Sequence, residues 1–361
     1  MIFSKKLIAG CAAIVLATTI LTGCASSQPA PLKLVPPTAN MIVEIQIGAI
    51  VNDPALIAAY NNSSHNADQP QTVQDALDKL TANTGLNVQD FSQLFIFGDT
   101  SNMRASGLEN KEAGYMGIIA QGTFNEKTFV ANIEIKTAKK LDVSTYKTSQ
   151  VYSNASENFS MVFFGSSMLV VGTDQAVKDC IDVHKGDKQP LSGIVVDTYN
   201  KLGEASIKAA FALPAAAKNA LASEAGSTSK ISTQVFSKMD TVGLAFNKGT
   251  QDVSINANLH FTDALSAIDA KDTLSGFVSM IKGMTATPEA KTVLGGIQFS
   301  AADGWVSISI KTTLTDLQSI SKSLPTSSLL PKPNLSNVPT TTTIKPTKIT
   351  PTCISPTHCQ R

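Results

Sequence analysis

Arginine is nearly absent from this 361-residue chain: Arg104 and Arg361 are the only two. Phosphate recognition needs a concentrated basic surface, and 29 Lys plus Arg against 28 Asp plus Glu leave no excess to build one. A nucleic-acid partner and a polybasic membrane patch are therefore not expected. Long apolar runs are also missing. Residues 7–21 form an apolar stretch shorter than the ~20 residues a spanning helix requires. Residues 161–171 are broken by Gly165-Ser166-Ser167. Histidine is sparse, at His65, His184, His260 and His358, and Trp305 is the single tryptophan.

Reactive motifs are lacking too. There is no Gly-x-Ser-x-Gly elbow, His-Glu-x-x-His helix, phosphate loop or Cys-x-x-Cys-His haem site. Gly114, Gly117 and Gly122 miss the dinucleotide spacing, and Asp99, Glu109 and Glu112 miss that of a calcium loop. No cofactor and no metal site is expected. Catalytic groups can still converge from distant positions, so missing motifs alone do not exclude an enzyme.

What is present begins at the N-terminus. Lys5 and Lys6 precede the apolar run, and Leu21-Thr22-Gly23-Cys24 closes it. That order is a positive region, a short apolar region and a small-residue processing site. The segment resembles a bacterial lipoprotein signal peptide covering residues 1–23. The resemblance implies cleavage before Cys24 and a diacylglyceryl thioether on its sulfur. It also implies a chain anchored by lipid on the extracytoplasmic side of a membrane, at the cell surface or in the periplasm. The membrane is then the first partner, held stably where two or more acyl chains are present. Cleavage would remove Lys5 and Lys6 and tip the charge balance slightly acidic.

Residues 24–37 read as a lipidated linker rich in small residues and proline, with no core of its own. Residues 38–186 and 194–324 then read as two similar α+β domains. Each is expected to be an antiparallel sheet with one wet face and helices on the other. Strands are expected over 41–47, 91–97, 115–124, 146–152, 160–164 and 168–171, with helices over 54–60, 72–82, 126–135 and 174–184. The second half repeats the order: strands over 206–213, 236–246 and 253–261, helices over 214–223 and 263–281, a hairpin around Asp303-Gly304, and a helix over 313–324. Residues 91–98 with 115–125, and 239–247 with 253–262, align best, which is the mark of a duplication. Residues 325–361 form a Thr/Pro-rich tail expected to be disordered. Cys353 and Cys359 near its end can bridge in an oxidising compartment, within the tail or between chains.

Cys180 and His184 share one expected helix four residues apart, beside Asp179 and Asp182. A metal or nucleophile reading competes there with simple packing, because Ala176, Val177, Cys180 and Ile181 form an apolar stripe. His260 falls on the wet face of its strand with Asn256 and Asn258, and Trp305 lies opposite Val306, Ile308 and Ile310 in its own. These two form the candidate contact surface. The opening Leu34-Val35-Pro36 and the pattern after it, over residues 34–182, vaguely resemble uncharacterised bacterial envelope proteins with repeated α+β domains. The doubled proline at Pro36-Pro37 departs from them, and no ligand residue follows from the resemblance.

The leading expectation is a cell-envelope lipoprotein with a non-enzymatic protein-binding or structural role, the partner being an envelope protein. The alternative is binding or carriage of a lipid or other apolar ligand, since helices over a curved sheet can enclose a pocket. A hydrolase with a non-obvious site is the third reading. Mass analysis of the mature N-terminus tests the anchor: an acylated Cys24 is expected, and an unmodified chain beginning at Met1 would refute it.

Overall fold

The computed structural model describes residues 30–62, 69–84, 87–101, 114–215, 217–218, 234–249, 252–285 and 287–317. The signal segment, Cys24, His65, the 325–361 tail with Cys353 and Cys359, and much of the helices expected over 214–223 and 313–324 lie outside the described residues. The described part is an α+β fold with helices packed on strands.

Seven strands come from the first half: β1 (Met41–Gln46), β2 (Phe91–Gly98), β3 (Met116–Gly122), β4 (Asp142–Tyr146), β5 (Ser149–Asn154), β6 (Phe159–Phe164) and β7 (Met168–Gly172). Five come from the second: β8 (Ile207–Ala212), β9 (Met239–Lys248), β10 (Val253–Phe261), β11 (Gln298–Ala302) and β12 (Trp305–Thr312). Where two sheets were expected, all twelve strands join one, in the order β11-β12-β10-β9-β8-β1-β2-β3-β7-β6-β5-β4. The join is the antiparallel pairing of β1 with β8, Ile45 opposite Ile207 and Met41 opposite Phe211. Alternation within a strand fixes which side chains share a face, not which strand becomes the neighbour. Outward from the join, the halves run β1-β2-β3-β7-β6 and β8-β9-β10-β12-β11. The two orders correspond strand for strand, and β5 and β4 are extra to the first half.

Helices cover the sheet unequally. In the first half both faces are buried, against the expectation of one wet face. Ile42, Phe95, Phe97, Val162 and Val170 pack beneath α5 (Asp174–Lys185) and α6 (Ile194–Lys201). Ile45, Leu94, Met161 and Leu169 pack on the other face with α1 (Ile47–Val51) and with Phe129 and Ile133 of α4 (Glu126–Thr137). Short helices α2 (Pro54–Asn61) and α3 (Val73–Thr84) follow α1. Leu32, Leu34 and Val35, in the stretch expected to be a coreless linker, are buried in the first of these cores. In the second half a long helix α7 (Ala264–Met284) and α8 (Pro288–Gly295) cover the outer strands.

Local chemistry explains most boundaries. Asp53 caps α2 by accepting from the Leu56 amide at 2.9 Å, and Pro54 stands at the first turn. Asn125 caps α4 through the Thr128 amide at 3.0 Å, and Asp263 caps α7 through the Ser266 amide at 2.8 Å. Gly186 ends α5 in a left-handed conformation, φ 84°. Two elements escaped the sequence reading. Strand β4, Asp-Val-Ser-Thr-Tyr, is a polar edge with no apolar alternation to reveal it. Helix α6 begins Ile-Val-Val, a β-branched run, and its Gly193 N-cap has no side chain to signal a start. Gly243 of β9 has a packing reason: a Cβ there would lie 2.7 Å from Thr198 Cγ2 of α6.

A buried polar cluster crosses the join. Glu44 of β1 is 2% exposed and Lys208 of β8 5% exposed, with Nζ 3.1 Å from the Glu44 carboxylate. Tyr199 from α6 and Gln93 from β2 also donate to Glu44, as does Gln46 at 2.6 Å. The Lys208 ammonium stands 4.1 Å from the Tyr199 ring centroid. Burial first, and the facing carboxylate of Glu44 second, push the Tyr199 phenol well above its ordinary range. A second buried cation, Lys248 of β9, contacts both Asp53 oxygens at 2.7 Å. Glu44→Ala leaves Lys208 uncompensated and should cost about 3–5 kcal/mol in urea unfolding. Glu44→Leu combined with Lys208→Met should cost much less. Equal losses in the two variants would contradict a compensated pair.

Candidate functional site

Side chains paired across an antiparallel ladder point to the same face, so the registers define rows. One row runs Ile45, Ile207, Phe246, Ile255, Ile310 across β1, β8, β9, β10 and β12. The next runs Val43, Ala209, Leu244, Ala257, Ile308, and a third runs Met41, Phe211, Val242, Leu259, Val306. All three are apolar throughout. At strand spacings of ~4.8 Å and row spacings of ~6.8 Å the area measures about 20 by 14 Å. Its ends are covered: Ile45 is buried beside α1, while Leu259 and Val306 are buried with Ala267 and Ala270 of α7. Its middle is not. Leu244 is 45% exposed on an interior strand, and Ala209, Phe246, Ile255 and Ala257 are half-buried. The alanines on either side of Leu244 make the floor low, so the surface is a trough between covered flanks.

The exposed part is the middle of this area, Leu244 with its half-buried neighbours. No charged side chain enters the three rows, so nothing in them would recognise a polar head or ion. They can hold hydrocarbon. Helix α7 carries further exposed apolar side chains at Leu265, Ile268, Phe277, Met280 and Met284. Among the described residues no helix is long and apolar enough to cross a membrane.

The opposite face carries the two residues expected to form a contact surface, and the fold does bring them together. His260 and Trp305 are register partners in β10 and β12, with ring centroids 4.7 Å apart. Lys201, ending α6, holds its Nζ 5.2 Å from the Trp305 centroid. His260 Nδ1 is buried without a hydrogen bond and lies 3.5 Å from Asp240 Oδ2, whose other oxygen meets Lys218 Nζ at 3.0 Å. Asn258 is not on a wet surface: it is buried, donates to the Lys201 carbonyl at 3.2 Å and accepts from Ser307 at 2.7 Å. Helix α6 covers this end of the face.

Cys180 is fully buried in the first core, and burial pushes its thiol well above the ordinary range. A buried neutral thiol is neither nucleophile nor ligand. His184 stacks on Phe164 with centroids 4.2 Å apart. Burial chiefly, and then Lys185, hold its imidazole below the usual value. Asp179 faces elsewhere, accepting from Lys188 at 2.6 Å, Gln175 at 2.7 Å and Tyr115 at 2.9 Å. Burial alone would raise the Asp179 carboxyl, but these donors together hold it below the ordinary carboxylate range. Asp182 accepts from Tyr146 at 3.1 Å and meets Lys147 at 2.8 Å. These four residues are packing and ion-pair groups. Among the described residues no group of three or more His, Cys, Asp or Glu could hold a metal ion.

The sequence matches no protein-family model and no curated protein. Among solved structures it is similar to TP0453. The crystal form III chain is 10% identical, with 83% of this chain and 100% of that chain covered at a TM-score of 0.45. Crystal forms IV and I are each 8% identical, covering 82% of this chain and 98% of those chains at a TM-score of 0.42. Likeness this remote decides no residue's role, so the site rests on its own geometry. Sequence reading missed the trough because its rows arise from pairing across the two halves. The signal available is the run of apolar alternate positions in β8, β9 and β10, which by itself reads as a face covered by helices.

Proposed function

We propose that this chain is a lipid-anchored, non-enzymatic envelope protein that binds an apolar ligand of the acyl-chain class along the seam-side trough. The observation that carries the proposal is the exposure of Leu244, at 45%, in the middle of three wholly apolar rows. Water at such a surface is displaced favourably by hydrocarbon, and the absence of charge in the rows favours a chain over a head group. Anchoring through Cys24 would keep the trough beside a membrane, the natural reservoir of such ligands. A protein-contact role is the second reading, favoured by the half-buried Trp305 with Lys201 at its ring.

A fluorescent fatty acid tests the first reading directly. The protein should bind it, and Leu244→Asp should weaken binding at least tenfold. That loss follows from burial of a leucine being worth about 1.5–3 kcal/mol. Because Leu244 is half exposed, the variant should melt within a few degrees of the parent. Unchanged affinity in a folded Leu244→Asp protein, or no binding by the parent, would overturn the acyl-chain reading. Binding by the parent that His260→Ala with Trp305→Ala abolishes would favour the opposite face.

A further inference from the structure

The three rows of the trough are apolar, but the row that follows on the same face is not. In β9 the alternate positions Val242, Leu244 and Phe246 lead on to Lys248, which stands opposite Val253 of β10 with no register shift between. At ~3.4 Å per residue the Lys248 Cα lies ~7 Å beyond that of Phe246 and ~14 Å beyond that of Leu244. Lys248 thus ends the line of side chains that forms the β9 floor of the trough. It is buried there with Asp53, the two side chains 6% and 13% exposed.

A buried ammonium needs a compensating anion. Lys248 takes one carboxylate and contacts both of its oxygens at 2.7 Å. Asp252, in the turn after β9, is held instead by Lys311 at 2.6 Å. The sheet's two buried cations differ in how firmly their anions are fixed. Glu44, the partner of Lys208, belongs to an interior strand and also takes bonds from Tyr199, Gln93 and Gln46. Asp53 belongs to the two-residue link between α1 and α2. In α2 only Leu56 is buried, and an element with so little apolar contact shifts at low cost. Asp53 also caps α2 through the Leu56 amide at 2.9 Å, a bond that does not depend on Lys248.

We propose that Lys248 is the head-group site of the trough: a free fatty acid lies along the apolar rows, and its carboxylate takes the place of Asp53 on the Lys248 ammonium. This assignment rests on the acyl-chain reading of the trough and adds to it the end at which the ligand's polar group sits. The exchange is one carboxylate for another, so the buried cation is paired with and without ligand. Displaced Asp53 turns to solvent and keeps its cap on α2. Selectivity follows from the same exchange. A methyl ester offers the same hydrocarbon but no charge to set against Lys248, so it must leave the Asp53 pair in place.

Equilibrium dialysis of the full chain against radiolabelled palmitic acid and, separately, methyl palmitate tests this at about pH 8, where carboxylates are ionised and lysines charged. The parent should prefer the acid by about threefold or more, the mark of a charge-assisted hydrogen bond partly offset by loss of the Asp53 pair. Asp53→Asn keeps a capping oxygen but removes the competing charge. It should bind the acid about tenfold more tightly than the parent does, with the ester unchanged. Lys248→Met combined with Asp53→Asn leaves no buried charge at this end of β9 and should bind acid and ester alike. A parent that binds the two alike, a folded Asp53→Asn protein without the gain, or an acid preference that survives in the double variant would each overturn the head-group site; Leu244→Asp weakening both probes would then leave the trough standing. Binding of neither probe by the parent would overturn the trough reading and the head-group site with it.

Discussion

The antiparallel pairing of β1 with β8 is the constraint on which the rest of the molecule depends. It converts two runs of strands into one sheet and sets every row that crosses from one half to the other. Backbone pairing alone would tolerate a slip, but a one-residue shift would carry every side chain to the wrong face. Glu44 makes such a slip costly. Its carboxylate holds Lys208 across the join and takes hydrogen bonds from Tyr199 and Gln93, which come from a helix and from the next strand. Buried charges of this kind contribute less to stability than to uniqueness, because any other register strands them without partners. Lys248 with Asp53 acts likewise at the far end of β9.

From that register follows the asymmetry of the two faces. On one face α5 and α6 close over the first half and reach β9 and β10, where Thr198 meets Thr241. On the other, α1 and α4 cover the first half and α7 covers the outer strands of the second. The central strands β8 and β9 fall between these covers. Leu244 is exposed there because the covering helices on either side stop short of it, not because its strand is at an edge.

Much of the fold was legible in the sequence. Residues 253–261 alternate cleanly and form β10; Asp303-Gly304 reads as a hairpin turn and adopts positive φ at both positions, 53° and 80°. The apolar stripe of Ala176, Val177, Cys180 and Ile181 reads as a buried helix face and is one. The correspondence of residues 91–125 with 239–262 reappears as matching strand positions on either side of the join. What stayed hidden was long-range. No pattern within β1 or β8 announces that the two pair, and without that pairing the trough cannot be drawn. The closeness of His260 and Trp305 was within reach, because both flank one side of a hairpin and its neighbour. The burial of Asn258 under α6 was not, because the β-branched start of α6 and its Gly193 N-cap give no sign of a helix there.

A photoreactive fatty acid tests the account most directly. After irradiation and digestion of the loaded protein, peptides carrying the label should come from β8, β9 and β10, with adducts on or beside Leu244, Phe246 and Ile255. Labelling confined to the Trp305 face, or spread over the surface in proportion to exposure, would contradict a trough built by the β1–β8 join.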